Sequence, residues 1–155
     1  NSEVVSFIPQ GINMATTASI SISSDIMENA PFSVNASMTM HQAGTELDLE
    51  ETTGLAQRIF SGNTTQVTLI DVSATPVTAG GAVAHKVYIR NTGTDKTKGF
   101  KVFLADATDD TEEIGTLYGQ DWMLFPWLAS DANEDIMVQP SSTEKMTIEY
   151  AVFHQ

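Results

Sequence analysis

The chain has 155 residues, 20 acidic against 7 basic side chains, a formal net charge of -13 and no cysteine. That length fits one domain around a single core. The charge makes phosphate backbones and anionic lipid poor partners, and the lack of thiols excludes a disulfide framework, a thiolate metal site and a cysteine nucleophile.

In chain order, residues 1 to 50 are rich in Ser, Thr and Met and hold sparse alternations, Ser19 to Ser23 and Phe32 to Met40, each with its apolar residues on one face. Ile20 and Ile22 lead the first of these. Strands this poor in bulk gain stability by pairing with another sheet or another copy, so an N-terminal arm over 1–50, exchanged between subunits, is one expectation. An ordinary pair of terminal strands is the other. The first residues, with Glu3 and Pro9, have neither the basic start nor the apolar stretch of a signal peptide, and no run reaches the length of a membrane span. Synthesis in a cytoplasm is expected, and the Asn35-Ala-Ser37 and Asn63-Thr-Thr65 sequons read as chance matches.

Residues 51 to 155 are expected to form the sandwich proper. Gly54 to Phe60 could make a short helix behind the acidic residues of Asp48 to Glu51. Alternating runs then follow at Gln66 to Val72, Ala84 to Arg90, Phe100 to Ala105, Met123 to Trp127, Asp135 to Gln139 and Met146 to Phe153. They are rich in β-branched and aromatic residues and are separated by turn residues at sandwich-like spacing. Pro76, Gly80 and Gly81 make Ser73 to Ala82 a loop, while Asn91-Thr92-Gly93-Thr94-Asp95 and Gly119-Gln120-Asp121 read as turns. Charged residues are only 17% of the chain, replaced by residues that suit strands and turns. The expected class is all-β, an antiparallel β-sandwich or jelly-roll-like domain with extended N-terminal strands.

Chemistry is hard to find. The acidic cluster Asp106, Asp109, Asp110, Glu112 and Glu113 lacks the Gly-centred spacing of an EF-hand loop and reads as a solvated loop rather than a calcium site. His41, His85 and His154 are far apart and in no metal-ligand spacing. There is no nucleophile elbow, phosphate loop or dinucleotide fingerprint, so neither catalytic residue nor metal nor cofactor is expected. Two other features stand out. Lys86, Arg90, Lys96, Lys98 and Lys101 sit among almost no acids, whereas eleven acidic residues between 106 and 149 face Lys145 alone. This is either a charged strand edge beside a solvated face or head-to-tail complementarity between copies. The segment Leu117 to Trp127 packs Tyr118, Trp122, Phe125 and Trp127 into eleven residues. Alternation sends Tyr118 and Trp122 to one face and Phe125 and Trp127 to the other, so one face can build core while the second is left for contact.

Ser19 to Ser23, Val87-Tyr88-Ile89-Arg90-Asn91-Thr92-Gly93, Gly119 to Trp127 and Ile148-Glu149-Tyr150-Ala151-Val152 together resemble the small all-β virion structural proteins of tailed bacteriophages. The resemblance spans residues 14 to 155. It implies a multicopy virion component, made in the host cytoplasm, most simply a capsid cement or decoration protein that bridges capsomers, with the major capsid protein and its own copies, as a trimer, for partners. The interface residues expected on this reading are Ile20, Ile22, Lys86, Arg90, Tyr118, Trp122, Phe125 and Trp127. A tail or head-tail junction component is the alternative of the same class. A carbohydrate-binding module using exposed tryptophan is the alternative of another class, and a carboxylate glycosidase stands last.

Overall fold

The alternating runs fold as antiparallel strands. A computed structural model describes residues 16–24, 32–41, 49, 51–74, 84–104, 112–129 and 134–154, and no α-helix occurs among them. In chain order the strands are β1 (Thr17–Ser24), β2 (Phe32–Thr39), β3 (Glu51–Thr52), β4 (Ala56–Phe60), β5 (Val67–Ile70), β6 (Ala84–Asn91), β7 (Gly99–Leu104), β8 (Glu113–Tyr118), β9 (Trp122–Leu128), β10 (Ile136–Pro140) and β11 (Met146–His154). They form three sheets: the hairpin β1–β2, a four-stranded sheet in the order β5-β10-β7-β8, and a five-stranded sheet in the order β3-β11-β6-β9, with β4 also pairing β11.

The two larger sheets make an antiparallel β-sandwich. Period two puts Val87 and Ile89 of β6, Ile148 and Val152 of β11 and Trp127 of β9 on the inner face of one sheet. Phe100 and Val102 of β7 and Ile136 and Val138 of β10 meet them from the other. Phe60 closes one side, its ring edge-on to Phe100 with centroids 5.3 Å apart. β11 is the centre of its sheet, pairing β6 along one side and β4 and β3 end to end along the other.

Two expectations need correction. Ala56 to Phe60 is strand, not helix. Its partner β11 supplies a full ladder from Tyr150↔Ala56 to Met146↔Phe60, and Phe60 is buried by that register. A five-residue helix would forgo both the ladder and the burial. β8 was hidden by the acidic residues at its start, and Glu113 there is held by Lys101 across the sheet at 3.0 Å. Of the expected loop Ser73 to Ala82, Val72–Ala74 is one 3₁₀ turn, and most of the rest lies outside the described residues.

The sheets are joined by the two turns that sequence pattern marks. Asn91 ends β6 almost fully buried. Its Nδ2 donates to the carbonyl of Leu117 in β8 at 3.0 Å and to that of Lys98, just before β7, at 3.2 Å. Its Oδ1 accepts from the Gly93 amide at 3.0 Å, and its backbone exchanges bonds with Gln120 and Asp121. Gln120 holds the left-handed φ of 74° that its turn requires, and its side chain donates to the carbonyls of Thr92 and Gly93. Gly119 lets the two turns touch, because a Cβ there would stand 2.5 Å from the carbonyl oxygen of Asp95. Lys96 Nζ also donates to the Gly119 carbonyl. Asn91→Ala leaves two buried carbonyls and an amide without their partner and is expected to lower stability by about 2–3 kcal/mol. The check is a urea midpoint shifted at unchanged slope; Asn91→Asp, which cannot donate through Nδ2, is expected to behave nearly as badly.

Candidate interaction surface

The hairpin β1–β2 is a two-faced ribbon. Its register pairs Ala18 with Met38, Ile20 with Ala36, Ile22 with Val34 and Ser24 with Phe32 on one face. The opposite face is Thr17, Ser19, Ser21 and Ser23 against Thr39, Ser37, Asn35 and Ser33. Neither strand carries a charged residue. The apolar face is open: Ile20, Ile22, Phe32 and Met38 are all exposed, Phe32 by 54%. A two-stranded ribbon with one uncovered apolar face has little stability of its own. It is anchored at its base, where Met40 and Leu49 are buried and bonds run from Thr16 N to Leu49 O, Met40 N to Thr16 O and Leu49 N to Met40 O.

The surface beside the ribbon is the outer face of β9. Residues Met123, Phe125 and Trp127 face the core, so Trp122, Leu124, Pro126 and Leu128 form an outward apolar stripe on the same strand. Trp122 is 51% exposed. The base half of the ribbon lies beside this stripe, and a groove of about 250 Å³ separates them, lined by Ile20, Met38, Trp122 and Leu124 with the small residues Ala18, Ser19, Ala36 and Ser37 between. Ile20 and Trp122, a hundred residues apart, are thus brought together. Ile22 lies on the same ribbon face beyond the groove, and Tyr118 is exposed at the end of β8 in the other sheet. Alternation singled out Ile20 and Ile22; it also marks Phe32 and Met38 as their face partners, once Phe32 to Met40 is paired with Ser19 to Ser23.

Four expected contact residues are placed elsewhere. Trp127 is 1% exposed, in the core, where its indole N–H donates to the Glu134 carbonyl at 2.7 Å. Phe125 packs partly buried against that core. Both are corrected to structural residues, because the register of β9 on β6 turns them inward. Lys86 and Arg90 do face outward on β6, but they are engaged within the chain. Lys86 Nζ donates to the His41 carbonyl at 3.1 Å, and Arg90 donates to Gln120 Oε1 at 2.8 Å with Glu149 at 3.6 Å. Glu149 also accepts from the Tyr88 hydroxyl at 3.0 Å. Of the acidic run, residues 105–111 lie outside the described residues, so the calcium question does too.

Sequence distance concealed one more arrangement. His85 on β6 and His154 on β11 stand opposite each other inside the sandwich, with ring centroids 6.1 Å apart. Trp127 of β9 flanks His85 at 6.0 Å, and Glu51 of β3 lies 3.6 Å from His154 Nδ1. Among the described residues neither ring nitrogen of His85 has a hydrogen-bond partner, and no group of three metal-ligating side chains forms. Burial, and then the neighbouring His154, hold the His85 imidazole below its ordinary pKa of 6.5. The unfolded chain takes up that proton at higher pH than the folded one, so stability conferred by neutral His85 is complete above about 6.5 and falls as pH drops below it. Thermal melting between pH 7.5 and 5 is expected to show this loss, and His85→Leu to flatten it; a variant that keeps the full slope would place the titration elsewhere.

No family model matches the chain, and no curated protein matches it. Among solved structures it is similar to the Yersinia pseudotuberculosis-derived mitogen, at 10% identity and a TM-score of 0.38, over 68% of this chain and 86% of that one.

Proposed function

We propose that the chain is a multicopy structural protein of a tailed-phage virion, a cement or decoration protein that binds the outside of the capsid and bridges capsomers. The observation that carries this is the open apolar surface made by the β1–β2 ribbon and the β9 stripe. Ile20, Ile22, Phe32 and Met38 on the ribbon and Trp122 and Leu128 on β9 are all exposed, and a run of exposed apolar side chains on neighbouring elements is what an interaction surface needs. The mechanism is mechanical. Each copy adds a modest apolar contact, and many copies on a repeating shell gain from multivalency. The acidic remainder supports the reading by discouraging indiscriminate association and binding to the packaged nucleic acid. No catalytic step is invoked, and the place of action is the assembled particle.

The exposed ring of Trp122 favours one second reading, a carbohydrate-binding module, since an open indole face stacks on sugars. One pair of experiments separates the two. Purified protein mixed with tailed-phage capsids that lack it is expected to co-sediment, to saturate at a fixed copy number per capsomer and to raise the temperature at which the shells open. If it stays in the supernatant while host polysaccharide shifts its tryptophan emission, the glycan reading replaces the capsid one. Trp127 is sealed in the core, so such a shift reports on Trp122.

A further inference from the structure

We propose that the free half of the ribbon, Ile22, Val34 and Phe32, docks into the Trp122 groove of a second copy of this chain. This deepens the multicopy part of the reading above by naming the contact between copies, and it is tested without any capsid. Each copy has an unfilled groove of about 250 Å³ and, separately, the exposed apolar side chains of Ile22 and Phe32. Ile22 and Phe32 are the most exposed apolar residues of the ribbon face, and none of Ile22, Val34 and Phe32 lines the groove beside their own β9. Knob and hole are therefore both present in one chain but are not used on each other, and a second copy satisfies both at once.

Charge limits where two copies can meet. Two molecules at -13 repel over most of their area. The sixteen residues of β1 and β2 carry no charge, and the stripe Trp122, Leu124, Pro126 and Leu128 carries none, so this is where two copies can meet without a penalty from like charges. Edge chemistry points the same way. Four edge strands of the sandwich are blunted: β5 has four residues, β3 has two, β8 opens on Glu113 and β9 carries Pro126, which has no N–H to offer. β1 and β2 are eight residues each, regular, uncharged and free of proline. Growth by added strands is discouraged at those edges, which leaves contact to side chains such as those on the ribbon's apolar face.

The absence of cysteine gives a direct test. One preparation carries Phe32→Cys and a second, differently tagged, carries Leu124→Cys, so a disulfide between the two tags can form only across copies. Mixed under mild oxidation, they are expected to cross-link with each other in preference to either with itself. Preferential Phe32→Cys self-linking would mean that ribbons meet tip to tip, and overturns the docking. Sedimentation of the unmodified protein is expected to show a concentration-dependent oligomer; a monomer at every concentration overturns it as well. Ile22→Asp with Phe32→Asp should raise the dissociation constant at least tenfold. Asn35→Asp, the same charge on the ribbon's polar face, should leave association as it was, and equal loss from Asn35→Asp would show that charge alone, not the docked face, controls it. Capsid co-sedimentation is scored separately, so an oligomer that ignores capsids sinks the capsid reading and not this contact.

Discussion

The carboxamide of Asn91 is the point on which the sandwich depends. It sits at the end of β6 in one sheet and donates to carbonyls of Leu117 in β8 and Lys98 before β7 in the other. Sheet packing by itself is a sliding contact between apolar faces, and it tolerates rotation and slip. A buried amide whose donors and acceptor are all committed does not, because any shift strands polar groups away from water. The same residue receives the β8–β9 turn through its backbone, so one residue ties β6 to both turns, by its side chain to the other sheet and by its main chain to the entry of β9. β9 then pairs β6 in the register that turns Trp122 outward.

That dependence explains why β9 reads as it does. Trp122 to Leu128 is apolar at almost every position, which in an antiparallel sheet with one wet face would be a fault. Here the inner residues are core and the outer ones are left for the ribbon and for whatever else covers it. Pro126 fits the same logic. Mid-strand proline is confined to edges, and β9 is the edge of its sheet, so the residue both marks the strand's position and denies a ladder to a neighbour. Contact on this side of the molecule is thereby steered away from backbone pairing and onto side chains.

Much of this was legible in the sequence, for reasons that differ by element. β1 and β2 were readable because nothing but alternation occupies them: Ser19 to Ser23 has one period and no competing signal. β6 and β11 were readable from β-branched content. β4 was not, since Ala56 to Phe60 is neutral in propensity and becomes strand only through its ladder to β11, a contact ninety residues away. β8 was masked by acids that look like loop until Lys101 of β7 reaches diagonally to Glu113. The aromatic segment shows the division most clearly. Alternation separated Trp122 from Trp127 correctly, but which of the two faced out could be settled only by the register of β9 on β6.

The histidine pair shows why the site was harder to read than the fold. His85 and His154 are separated by most of the sandwich in sequence, and their meeting depends on the same β6–β11 ladder that pairs Phe153 with Lys86. Both occupy inward positions in the alternation of β6 and β11, and valine or leucine in place of His85 would leave no ring nitrogen unpartnered. The cost of His85 falls at the end of the sheet where Lys86 reaches the His41 carbonyl at the ribbon's base. An imidazole buried without partners among the described residues thus lies near the attachment of the ribbon. Acid that charges His85 therefore places its cost at the end of the sheet that holds the ribbon, away from Asn91 and its turns at the opposite end of β6.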